Sequence, residues 1–140
     1  MSRRARAIVL DSWAIIAYLS DENAGEKVAE IMAVAHENKI PLKMSILNVG
    51  EVWYSMARQT SEHEADKAVD ELRELGIEFA DADWKMTRIA ATYKSKHKMS
   101  YADCFAAALA KEEKADLATG DKEFHEVENE VKIVWLQNEK

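Results

Sequence analysis

Residues 7–13, Ala7-Ile8-Val9-Leu10-Asp11-Ser12-Trp13, set four apolar residues directly before an aspartate and a serine. A short apolar run closed by a turn signal reads as a strand buried on both faces, as in a parallel sheet. Asp11 or Ser12 then caps a helix through about Leu19, because an Asp or Ser oxygen accepts from the free N–H groups of a first helical turn. The same order recurs at residues 115–127. There Ala115 to Thr119 reads as a strand, Gly120-Asp121 as a turn and Lys122 to Val127 as a short helix. A carboxylate at the end of a buried strand is costly unless it binds something, and Asp11 and Asp121 occupy two such ends.

Between these stretches, helix and strand patterns alternate. Ala24 to Asn38 carries Val28, Ile31, Met32 and Ala35 at helical spacing, and Pro41 to Met44 reads as a short strand. Ser45 is an N-cap signal for a helix to about Gln59, on which Leu47, Glu51, Tyr54 and Ser55 lie near one face. Ser61 with Glu64 forms a capping-box pattern for a helix ending near Leu75, with Gly76 as its C-cap. Ile77 to Ala80 is a strand, and Asp83 caps a helix to about Lys96. Ser100 with Asp103 is a second capping-box pattern, for a helix to about Lys114. Val131 to Leu136 is the last strand.

Strands alternating with helices imply an α/β fold, a three-layer α/β/α sandwich around a mainly parallel sheet, with residues 1–140 as one domain. Ligands of such sheets bind beyond the C-terminal strand ends, near a topological switch point. Asp11 and Asp121 belong there. Glu51 and Asp103 sit within or at the start of helices. Several carboxylates meeting at one sheet edge make a site for Mg²⁺ or Mn²⁺, hard cations that prefer oxygen ligands.

Composition narrows the alternatives. Of the 140 residues, 48% are hydrophobic and 32% charged, the balance of a soluble globular chain. The longest apolar run, Trp13 to Leu19, is too short to span a bilayer. Asp11 interrupts any signal-peptide reading of the basic start Ser2-Arg3-Arg4-Ala5-Arg6. A single cysteine, Cys104, suits a reducing compartment, and a cytoplasmic location is expected. The widely spaced glycines form neither a P-loop nor a dinucleotide fingerprint. His36, His63, His97 and His125 have no zinc-site spacing and read as surface residues. Cys104 reads as core and Asp116 as structural, and Trp53 and Tyr54 as packing residues. A receiver domain needs an acidic pair at its first strand–helix loop, and a dehalogenase-type phosphatase needs D-x-D where Trp13 stands; both are disfavoured.

The net charge of −7 argues against a polyanion partner, but its distribution argues the other way. From Trp84 to Ala102 there is no acidic residue, while Lys85, Arg88, Lys94, Lys96 and Lys98 are basic. Lys94, Lys96 and Lys98 lead straight into Asp103, so they are the candidates for guiding a polyanionic substrate to an acidic site.

The ordered set of motifs resembles the PIN domain, a ribonuclease fold, and specifically the VapC-type toxins of prokaryotic toxin–antitoxin systems. Its pieces are the first strand into Asp11-Ser12, the Ser45…Glu51-Val52 helix, Ser100-x-x-Asp103 with its alanine-rich helix, and Thr119-Gly120-Asp121-Lys122-x-Phe124. The resemblance implies an acidic pocket of Asp11, Glu51, Asp103 and Asp121 holding one or two Mg²⁺ or Mn²⁺ ions, with Ser12 and Thr119 as supporting hydroxyls. It also implies hydrolysis of RNA to a 5′-phosphate and a 3′-hydroxyl. As partners it implies a homodimer and an antitoxin whose basic tail enters the acidic groove, with an apolar helix packing near Trp13 or Tyr18. The alternative is a catalytically weak RNA- or protein-binding module of the same fold.

Overall fold

The computed structural model of the chain describes residues 5–20 and 23–137; the basic start at residues 2–4 lies outside them. Five strands form one sheet: β1 (Ile8–Leu10), β2 (Leu42–Ser45), β3 (Ile77–Ala80), β4 (Asp116–Thr119) and β5 (Ile133–Trp135). Their order is β3-β2-β1-β4-β5, and every neighbouring pair is parallel. Successive strands step outward from β1 to β3, then the chain crosses back to β4 on the other side of β1. The β1–β4 boundary is therefore the switch point, where the two loops beyond the strands part and leave a crevice. Register sets Leu10 beside Ala118, so Asp11 and Thr119 are the next residues out on adjacent strands.

Alternation along the strands divides the core. Val9 and Leu117 face a cluster with α5 (Trp84–Lys96), α6 (Tyr101–Glu113) and the 3₁₀ helix Lys122–Val127. Leu10 and Ala118 face the opposite cluster, built with α1 (Ser12–Leu19), α2 (Asn23–Glu37), α3 (Ile46–Gln59) and α4 (Glu62–Glu74). That is the expected three-layer sandwich. Val9, Leu10 and Leu117 are fully enclosed, and removing each such side chain from water contributes about 1.5–3 kcal/mol. α6 is buried along eight successive residues, Asp103 to Ala110, five of them Ala106, Ala107, Ala108, Ala110 and Cys104. Small side chains let this helix lie close against the sheet, and they hold Asp103 at its buried N-terminal end.

Capping follows the sequence signals closely. Asp11, Ser45, Ser61, Asp83 and Ser100 each accept a hydrogen bond from an N–H of the helix they precede. α6 ends with Lys114 in the left-handed region, and Leu75 caps α4 with Gly76 following at φ 84°. Trp13 and Tyr18 depart from the expected exposed apolar surface. Both are half-buried against the core beside α1. The Trp13 indole lies directly on Gly120, where any Cβ would overlap it, so position 120 pins the β4 loop against α1.

Gly25 carries the tightest helix contact. A Cβ there would stand 2.6 Å from the Ala17 carbonyl oxygen and 3.0 Å from the Tyr18 Cα. Both obstructions are backbone, so α2 would have to move off α1. Gly25→Ala is expected to destabilise the chain by about 1–3 kcal/mol. Gly50→Ala, on exposed α3 with nothing within 4 Å of the new Cβ, is expected to stabilise by about 0.5–1 kcal/mol. Thermal unfolding of the two variants side by side checks both; equal midpoints would refute the close-approach reading of Gly25.

Candidate metal centre

All four carboxylates expected at the site face the C-terminal edge of the sheet, each delivered by a different element. Asp11 leaves β1 and serves as N-cap of α1. Its Oδ1 accepts from the Ala14 N–H at 2.9 Å and its Oδ2 from the Thr119 hydroxyl at 2.5 Å. Thr119 is fully buried at the end of β4, and its hydroxyl oxygen also accepts from the Asp121 N–H at 3.0 Å. One hydroxyl thus fixes the positions of two acidic residues. Asp121 caps the 3₁₀ helix through the Glu123 N–H at 2.9 Å.

Glu51 reaches the same edge from α3. Its Oε1 accepts from the Ser12 hydroxyl at 2.8 Å and from the Asn48 amide at 3.0 Å. The sequence pattern set Glu51 among apolar neighbours; its carboxylate is instead held by polar side chains, and Tyr54 turns outward under Arg58. Trp53 ties α3 to α4 through a hydrogen bond to Asp66.

Asp103 is buried at the first turn of α6. Ser100 Oγ accepts from its N–H at 3.2 Å, the forward half of a capping box. The return half is not made by Asp103: the Ser100 N–H donates to Glu123 Oε1 at 3.0 Å. Glu123 is the acidic residue that sequence reasoning passed over. Asp103, Asp121 and Glu123 each offer a carboxylate oxygen within 4.8 Å of one another. The signal was present, since Glu123 lies two residues after Asp121 in a capped first turn. Its partner across the chain, Ser100, was invisible until the fold brought them together.

Electrostatics follow from this crowding. Burial, above all, pushes the Asp11 carboxyl up to about 7; the Thr119 and Ala14 hydrogen bonds oppose this, while Asp121 and Glu51 add repulsion. Burial also raises Asp103, to about 9, helped by its hydrogen bond with Glu123 and by the charges of Asp121 and Asp11. Glu123 is held low by that same hydrogen bond, by the Ser100 N–H and by the charge of Lys94. The cluster keeps protons chiefly because its carboxyls are buried, with repulsion between them adding to the effect. Every donor atom is a carboxylate or hydroxyl oxygen. Hard divalent cations take oxygens at roughly 2.0–2.6 Å, so oxygens up to about 4–5 Å apart can share one ion. The residues present therefore fit a divalent cation.

The three candidate guiding lysines separate in space. Lys94 donates to the Met99 carbonyl at 2.6 Å and its charge bears on Glu123. Lys98 is exposed. Lys96 lines a recess on the outer side of α5 with Arg88, Thr92, Tyr93 and Lys111. Elsewhere the sequence readings hold: Cys104 is a buried free thiol, and Asp116 is held at the start of β4 beside Lys132. His36, His63 and His125 are exposed, while His97 is half-buried against Glu126. Among the described residues no helix is long and apolar enough to cross a membrane.

A family model described as PIN domain matches residues 8–130. Among curated proteins no sequence matches the chain. Solved structures do. VapBC2 of Rickettsia felis, bound to a promoter DNA fragment, is 15% identical with TM-score 0.74, covering 91% of this chain and 97% of its own. VapBC-1 of nontypeable Haemophilus influenzae is 18% identical with TM-score 0.69, covering 93% and 98%. VapC20 of Mycobacterium tuberculosis, a toxin that cleaves the sarcin–ricin loop, is 16% identical with TM-score 0.67, covering 85% and 93%. At these identities the likeness is one of fold.

Both raised carboxyls make stability depend on pH in one direction. Above the ordinary value of 3.8, the folded chain keeps protons that the unfolded chain has released. The stability tied to them is complete below that value and is lost as pH rises through about 7 for Asp11 and about 9 for Asp103. In EDTA the protein is expected to melt lower at alkaline pH than at mildly acidic pH. Asp11→Asn and Asp103→Asn are each expected to melt several degrees above wild type under the alkaline condition. Calorimetric scans across pH check this, and variants that lose stability as steeply as wild type would contradict it.

Proposed function

The chain belongs to the PIN domain family, and from that premise we propose that it is a divalent-metal-dependent endoribonuclease, acting as the toxin of a VapBC-type toxin–antitoxin pair. The observation that carries the reading is the convergence of Asp11, Glu51, Asp103, Asp121 and Glu123 from four separate elements on the β1–β4 switch point. Mg²⁺ or Mn²⁺ bound there would polarise a scissile phosphate and make hydroxide available from water. Asp11, Glu51, Asp103, Asp121 and Glu123 are the residues that would hold the cation. Thr119 keeps Asp11 and the Asp121 backbone in place for it. A carboxylate not fully engaged by the cation would orient the attacking water. Lys94 and Lys98 draw the RNA backbone toward this edge, and Lys96 extends the basic track along α5.

Two arms test the reading. Cleavage of RNA is expected to need Mg²⁺ or Mn²⁺ and to stop in EDTA. Asp11→Asn, Asp103→Asn or Asp121→Asn is each expected to lower it by on the order of 100-fold or more, the scale of losing one charge-stabilising group. Lys94, Lys96 and Lys98 changed together to Ala are expected to flatten the salt dependence of RNA affinity by about 0.7 per lost phosphate contact, with less change in turnover at saturation. Cleavage that persists in EDTA would exclude the metal mechanism. RNA binding without cleavage would favour a binding module of the same fold.

The partner reading has its own support. A groove of about 610 Å³ runs between α1, α3 and α4, with Leu19, Met56 and Ala68 as apolar floor and the acidic Glu64, Asp70, Glu71 and Glu74 outnumbering the single Lys67 in its walls. An amphipathic basic segment complements it in both respects, and several of the structurally similar proteins are toxin–antitoxin complexes. Expression of this chain alone is expected to arrest growth, and co-expression with the product of the neighbouring gene to relieve it. Glu71→Lys with Glu74→Lys is expected to weaken that complex, and light scattering of the free protein to give a dimer. A strict monomer that binds no neighbouring gene product would leave a nuclease without the toxin role.

A further inference from the structure

Asn48 is fully buried on α3, one turn before Glu51. Three residues apart on a helix, the two side chains share a face. The Asn48 amide nitrogen donates to Glu51 Oε1 at 3.0 Å and to the Ala102 carbonyl at 3.4 Å. Its amide oxygen has no hydrogen-bond partner among the described residues. That orientation has a chemical reason, because the reversed amide would set its oxygen against two acceptor oxygens. A buried amide oxygen without a partner is unfavourable, so what the residue contributes comes from its N–H groups.

They act on a particular oxygen. Ser12 donates to the same Oε1 at 2.8 Å, while Glu51 Oε2 accepts nothing among the described residues. Ser12 follows Asp11 and Ala102 precedes Asp103. The clamp on Glu51 is thus anchored to the backbone beside two other carboxylates of the cluster. It opposes the repulsion that would turn Glu51 away from them.

We propose that Asn48 is a positioning residue of the acidic site: with Ser12 it saturates Glu51 Oε1, ties α3 to the first turn of α6, and leaves Oε2 as the oxygen presented to a cation or its bound water. The proposal rests on the cation reading of the cluster and adds to it a residue that is itself no ligand.

The test is Mn²⁺ affinity by titration calorimetry, alongside the metal-free unfolding midpoint in EDTA. Asn48→Ala is expected to weaken Mn²⁺ binding by roughly 10- to 100-fold, the usual effect of losing a partner that orients a metal-binding side chain. Asn48→Asp keeps the size and removes the donors, so an equal or larger loss is expected. Val52→Ala, a buried core change on the same helix, is expected to lower the unfolding midpoint and leave Mn²⁺ affinity unchanged. A merely structural asparagine would behave like Val52. Wild-type Mn²⁺ affinity in both Asn48 variants would overturn the proposal. If neither folds, Ser12→Ala probes the same clamp on the same oxygen, and unchanged affinity there would overturn it as well. Wild-type protein that binds no Mn²⁺ would instead overturn the cation reading, and the positioning role with it.

Discussion

Asp11 is enclosed at the end of β1, and a carboxyl in that position depends on the Thr119 hydroxyl and the Ala14 N–H for its hydrogen bonds. Those two partners come from the neighbouring strand and the following helix. They exist only because β1 and β4 are paired in parallel with Leu10 beside Ala118. The pairing in turn needs a buried α6, whose alanines lie close against the sheet and hold Asp103 at the same edge. The site and the fold are therefore not separable. The sheet register that packs Val9 and Leu117 into one core layer is the register that aligns Asp11 with Thr119.

The cluster is destabilising by itself. Burial and mutual repulsion keep Asp11 and Asp103 protonated well above the ordinary carboxyl range, which is the signature of groups arranged for a charge not contributed by the chain. Two features limit the repulsion. Lys94 sets a positive charge near Glu123, and hydrogen bonds hold Asp11 by both oxygens and Glu51 and Glu123 through Oε1. On the proposed function, a cation bound there would displace these protons, so folding stability and metal binding would be linked through one group of residues.

Charge also organises the outer surface. The chain is acidic as a whole, yet α5 presents a basic side, and the α3–α4 groove has mostly acidic walls over an apolar floor. The two charged surfaces lie in opposite layers of the sandwich, α5 with one core cluster and α3 and α4 with the other.

Much of this was legible in the residues. Apolar runs ending in Asp11 and Thr119, the capping serines, and alternating helix and strand periods identify the elements, because backbone hydrogen bonding and burial act locally and leave periodic traces. The four acidic positions stood out because a carboxylate after a buried strand has few structural reasons to be there. What remained hidden was pairwise and distant. The Ser100–Asp103 pattern announced a capping box, but its return hydrogen bond comes from Glu123, more than twenty residues away. Glu51 read as a carboxylate on an apolar face, yet Ser12 and Asn48 hold it across α1 and α3. Trp13 read as an exposed apolar residue, yet it is half-buried with its ring against Gly120. Local sequence determined which elements form and which carboxylates end them. Only the parallel 3-2-1-4-5 order decided which oxygens meet, because hydrogen bonds and repulsion between side chains depend on distances that chain separation does not encode.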